Sequence, residues 1–291
     1  MSRSVLHASA AAGFALLLAA APAAAVTPDG PPPPLAQAWS LSLRTLLPLA
    51  AVVAMYTVGI WRTRPPFLHG IAGVAGLVAL ALAVLWPFDA WAAYALSAHV
   101  AQHMLLLALA PPLLVIARPA RLLAGCVPAR PRATVERYAA TSMRRLEAPL
   151  GLATLVHVVV LWAWHLPAAT SAALVSEPVH RLMLASVLLA GLWFWSAVLA
   201  RLQTRDGAIA GALVALVTAM MLMGFLGALL TFSPRLLYPA YTDRALLAGL
   251  DALADQQLAG LLMWVPGGLP YLAVGLWLAV VWLRGVQRAA A

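Results

Sequence analysis

Seven stretches of this sequence each approach the roughly 20 apolar residues that a helix needs to cross a bilayer, and they leave the chain few folds to choose from. They lie near residues 39–61, 67–86, 97–117, 150–167, 179–200, 207–232 and 258–283. With 64% hydrophobic and 9% charged residues, the 291-residue chain has too little polar surface to coat a soluble globule of its size. The expected fold is all-α, a polytopic membrane protein with a seven-transmembrane-helix bundle. Residues 1–25 read as a secretory signal, with Arg3, an apolar stretch at 8–20 and an A-x-A site at Ala23-Ala24-Ala25. An uncleaved first helix is the alternative. Residues 26–37 then form a Pro-rich periplasmic spacer, because Pro31 to Pro34 favour an extended polyproline conformation and exclude a span. Residues 38–291 form the membrane domain.

Charge sets the expected orientation. All 18 basic residues are arginine, and 13 of them fall between spans one and two, three and four, five and six, or after span seven. The positive-inside rule places those loops in the cytoplasm, the mature N-terminus in the periplasm, the C-terminus inside, and the protein in a bacterial inner membrane. The net charge of +9 therefore reports topology and contact with anionic lipid rather than nucleic-acid binding. A single cysteine, Cys126, excludes an internal disulfide and any Cys-x-x-Cys copper or redox motif.

The chemistry-bearing stretch is S-A-H-V-A-Q-H-M from Ser97. His99 and His103 stand four residues apart at the start of span three, so both imidazoles lie on one helix face. Polar groups at such a depth are costly unless partnered, which marks the pair as a candidate site. His165 at the same end of span four and His180 at the start of span five reach the same layer. His69 lies at the other end of span two, and His157 is roughly 12 Å deeper than His165 on its helix. The expected metal set is led by His99 and His103, followed by His180 and then His165.

Methionines supply soft donors near the same level: Met104 beside His103, Met220 and Met223 on one face of span six, and Met263 in span seven. Imidazole with thioether suits Cu(I), although methionine also serves as a filler between packed helices. Asp255 can orient an imidazole by accepting its second N–H, cap its own span, or pair with Arg244. The segment 244–263 reads as an amphipathic helix running into span seven. Pro266-Gly267-Gly268-Leu269-Pro270 is expected to kink or unwind that span, and Pro111-Pro112 to bend span three.

Four stretches together resemble the CtaG family of bacterial cytochrome c oxidase assembly factors, a seven-helix membrane family. They are H-V-A-Q-H-M-L-L-L-A-L-A-P-P-L-L-V-I from His99, W-H-L-P from Trp164, E-P-V-H-R-L from Glu177 and D-Q-Q-L-A-G-L-L-M-W-V-P-G-G from Asp255. The resemblance implies a non-enzymatic role in maturing haem-copper oxidase, supporting copper delivery to the catalytic subunit or exchange with other copper chaperones. Mapped onto this chain, it falls on His99, His103, His165 and His180, with Asp255 and Met263 as additions. The arginine-rich stretch 118–145 has no counterpart in that pattern. Three other readings stay open: a zinc-dependent membrane hydrolase using His99 and His103, a b-type haem protein, and a purely structural assembly scaffold.

Overall fold

The computed structural model describes residues 30–203 and 208–290. The expected signal, 1–25, lies outside the described residues, as does part of the spacer. Among the described residues the secondary structure is helical throughout. The main elements are α1 (Leu43–Thr63), α2 (Phe67–Val84), α3 (Leu96–Ile116), α4 (Ala129–Glu147), α5 (Leu150–Trp164), α6 (Glu177–Ala200), α7 (Ala208–Phe232) and α8 (Ala252–Ala290). Among the described residues six helices are long and apolar enough to cross a membrane, those beginning at Leu43, Phe67, Leu96, Glu177, Ala208 and Ala252.

The expected fourth span is the exception. At 15 residues α5 is about 22 Å long, short of the roughly 30 Å hydrocarbon core. It qualifies only as one arm of a pair with Ala129–Arg145, the two bent by 74°. The arginine-rich stretch is therefore largely helix rather than open loop. Even so, α5 runs the length of the bundle beside α6. Its start adjoins Ala148, whose carbonyl accepts a hydrogen bond from Arg201 at 2.7 Å, and its far end presents His165 next to His103.

The helix ends follow local chemistry. Ser42 caps α1 through Thr45 N–H, so the helix starts later than residue 39. Arg64, in the left-handed conformation at φ 43°, ends it before Pro65-Pro66. The expected amphipathic helix at 244–263 is not continuous. A short helix, Thr242–Leu247, stops at Gly249, whose φ of +70° suits glycine, and α8 starts afresh at Ala252. Of the two outcomes expected at Pro266 and Pro270, unwinding does not occur, because α8 continues as helix through both. Neighbouring helices and local adjustment can absorb the two missing N–H groups in such a span.

Of the six spanning helices α3, in the centre of the bundle, is the most buried, while α1 is the least. Residues Leu105–Leu109 of α3 form a π-helical turn directly before Pro111-Pro112. Pro111 has no N–H to offer the Leu107 carbonyl, and the Trp195 indole N–H from α6 donates to it instead at 3.0 Å. Beside this turn α6 presents Gly191, where a Cβ would stand 2.9 Å from the same carbonyl. Gly227 and Gly260 bring α7 and α8 equally close, since a Cβ on Gly227 would lie 2.9 Å from the Gly260 carbonyl. With no hydrophobic drive between helices in lipid, such small-residue crossings gain dispersion contacts that larger residues would block. Gly73 and Gly76 of α2 play this part against Ala117 and Leu114.

Candidate metal centre

Three histidines from two helices meet at one end of the bundle. His99 and His103 occupy the first turns of α3, with ring centroids 4.5 Å apart, and His165 follows α5 with its ring 5.1 Å from that of His103. All three are buried. The first turn of α3 is held from α8, because Asp255 Oδ2 accepts the Leu96 N–H at 2.6 Å and Oδ1 accepts the Ser97 hydroxyl. A carboxylate at a helix N-terminus meets both unsatisfied N–H groups and the positive end of the dipole.

Hydrogen bonds decide which ring nitrogens are bare. The Tyr241 hydroxyl donates to the Ala92 carbonyl at 2.9 Å, since a carbonyl can only accept. Its oxygen is then left to accept from His99 Nδ1–H at 3.0 Å. Burial pushes the Tyr241 hydroxyl well above the usual phenol range, which keeps its proton in place. His165 Nδ1–H donates to the Leu161 carbonyl at 2.7 Å. Both rings thus carry the proton on Nδ1 and a lone pair on Nε2. Those two Nε2 atoms, and both ring nitrogens of His103, are buried without a hydrogen-bond partner. A ring held through Nδ1 with a free Nε2 is how imidazoles are commonly prepared for a metal. The rings are neighbours rather than an assembled shell: among the described residues no three His, Cys, Asp or Glu side chains stand in metal-holding geometry.

His180 is set apart from the trio. Its Nε2 lies 3.1 Å from Asp89 Oδ1, the same oxygen that accepts from Gln102 Nε2 at 3.1 Å. In space, then, the ring beside His103 is that of His165, while His180 lies against Asp89.

Residues 54–285 match the family described as cytochrome c oxidase caa3 assembly factor (Caa3_CtaG), a match over well more than half of the chain. The chain belongs to this family. No curated protein and no solved structure gives a significant match.

Within this Caa3_CtaG protein, the polar side chains of Asp255 and Gln256 serve other segments of the chain. Asp255 holds α3 rather than an imidazole or Arg244. Gln256 accepts the Leu237 N–H at 2.7 Å and donates to the Arg235 carbonyl at 3.1 Å. Arg244 donates instead to the Ala93 carbonyl at 2.9 Å. The methionines sit mainly in packing positions. Met263 and Met223 are buried in the apolar core, Met220 packs against it, and the Met104 sulfur occupies the notch that Gly267 leaves on α8.

Several residues around the site carry no signal in the sequence. Tyr241 and Tyr238 come from an irregular segment with no periodicity, yet Tyr241 fixes the His99 tautomer and Tyr238 donates to the His165 carbonyl at 2.5 Å. Burial pushes the Tyr238 hydroxyl up to about 12. Asp89 reads as an ordinary loop acid until the fold sets it between His180 and Gln102. His157, which no layer accommodated, finds the Tyr271 hydroxyl at 2.7 Å and stacks on Phe194 in a separate aromatic cluster. Only Gln102, inside H-V-A-Q-H, stood within a stretch already singled out.

Proposed function

We propose that this assembly factor supports copper delivery to a haem-copper oxidase, holding Cu(I) in passing on His99, His103 and His165 without catalysing a reaction of its own. The observation that carries this reading is the set of buried ring nitrogens that lack partners. A buried donor or acceptor left without a partner costs about 1–3 kcal/mol, so several in adjoining rings ask for a ligand. A soft ion bound by neutral imidazoles would satisfy them after modest ring rotation, and neutral nitrogen donors suit Cu(I). Met104, beside His103 in the sequence, and Met263 would supply thioethers on rearrangement, and His180 on Asp89 a further donor, during exchange with the oxidase subunit or another copper chaperone.

Topology supports a site on the periplasmic face of the inner membrane. If α5 did not cross, Arg201 and Arg284 would lie on the side opposite Arg62, Arg64 and the α4 arginines. Counting α5 as the seventh span keeps the arginine-rich ends together and in the cytoplasm, with the N-terminus outside.

The test is metal content by mass spectrometry on full-length, detergent-purified protein loaded anaerobically with Cu(I). The wild type should retain about one equivalent, the His99→Ala/His103→Ala variant almost none, and Tyr241→Phe should bind about 10–100-fold more weakly. Copper retained by the double variant refutes the site. Zinc retained in its place, with a chelator-sensitive activity, brings forward the hydrolase reading, and no metal in either protein leaves a scaffold with structural histidines.

A further inference from the structure

A cavity of about 660 Å³ opens between the first halves of α1 and α6, against α2. Its existence follows from how α1 is attached. At one end α1 is pinned: a Cβ on Gly59 would stand 2.8 Å from the Leu122 Cα, and the Tyr56 hydroxyl donates to the Leu114 carbonyl at 3.0 Å. Toward the histidine end this attachment ceases, and the helix stands off from α6. The walls there are apolar, formed by Leu49, Val52, Leu80, Leu184 and Leu188. The rim is charged. Arg181 of α6 pairs with Glu177, Arg44 of α1 lies 3.9 Å from the other oxygen of that carboxylate, and Asp89 closes the rim with His180.

We infer that this cavity holds one zwitterionic aminophospholipid, with a chain along the leucines, its phosphate between Arg44 and Arg181, and its ammonium toward Glu177. Three observations choose this occupant. An apolar space of this size beside the hydrocarbon neither stays empty nor fills comfortably with water. The charged groups stand at the helix starts, at Arg44, Glu177 and Arg181, and the apolar side chains of Leu49, Val52, Leu184 and Leu188 lie a turn or more deeper, which is the head-and-chain division of a lipid. The rim carries two guanidinium groups and two carboxylates, which balances the two opposite charges of an aminophospholipid head better than a singly anionic one. Guanidinium forks suit phosphate oxygens, and the volume is that of a small-molecule site. The assignment is independent of any metal at the histidines.

The experiment uses full-length protein in nanodiscs containing equal phosphatidylethanolamine and phosphatidylglycerol, followed by native mass spectrometry. One retained phosphatidylethanolamine per chain is expected, undisturbed by excess inorganic phosphate. Ala185→Trp, which fills the cavity from α6, should abolish retention. Arg44→Gln/Arg181→Gln, on the rim and away from the packed core, should lower it about tenfold. Helicity by circular dichroism identifies any variant that fails to fold. Retention of phosphatidylglycerol, a quinone or nothing, displacement by phosphate, or equal retention in the rim variant would each overturn the assignment.

Discussion

Replacing Asp255 by Asn tests whether α8 holds the metal-bearing helix by its N-terminus. The carboxylate reaches the Leu96 N–H at 2.6 Å through Oδ2 and the Ser97 hydroxyl through Oδ1, and Asp255 is 5% exposed. Asn keeps one acceptor oxygen, turns the other into a donor that faces existing donors, and removes the negative charge from the helix N-terminus. Losing one hydrogen bond to a charged group costs about 1.5–3 kcal/mol, and losing the favourable dipole interaction about 0.3–1 kcal/mol more. The expected destabilisation is therefore about 2–4 kcal/mol, read as a lowered midpoint of SDS unfolding in mixed micelles. Because His99 and His103 sit in the turns that this carboxylate anchors, Cu(I) affinity should fall with it, by about 10–100-fold. A variant within about 0.5 kcal/mol of the wild type, as expected for a surface change, would refute the anchoring argument.

Two further substitutions probe the helix crossings. Trp195→Phe leaves the Leu107 carbonyl without its 3.0 Å donor beside Pro111 and should cost about 1–3 kcal/mol in the same assay, whereas an unchanged midpoint would mean that the π-helical turn satisfies its own carbonyls. Gly260→Ala puts a Cβ 2.6 Å from the Thr231 backbone nitrogen, so α7 and α8 must separate. A loss of about 1–3 kcal/mol is expected, and full stability would show that the two backbones are not in close contact.

What the sequence alone determined was what depends on short range and composition. Runs of apolar residues at spanning length demanded helices, proline and glycine marked many of their ends, and the four-residue interval put His99 and His103 on one face, because helix pitch fixes which neighbours meet. Local pattern said less where neighbouring helices supply what a segment lacks. The Pro266 to Pro270 stretch stayed helical, and α5 proved too short to count as a span by length alone. Only the tertiary structure decided which distant groups share a space. It paired His165 rather than His180 with His103, turned Asp255 onto α3, placed Met104 in a glycine notch, and brought Tyr241, 142 residues along the chain, to accept the Nδ1–H of His99. The physical reason is range: helix periodicity orders residues within a few turns, whereas hydrogen-bond partners and ring tautomers depend on crossings between helices whose angle and register no single segment encodes.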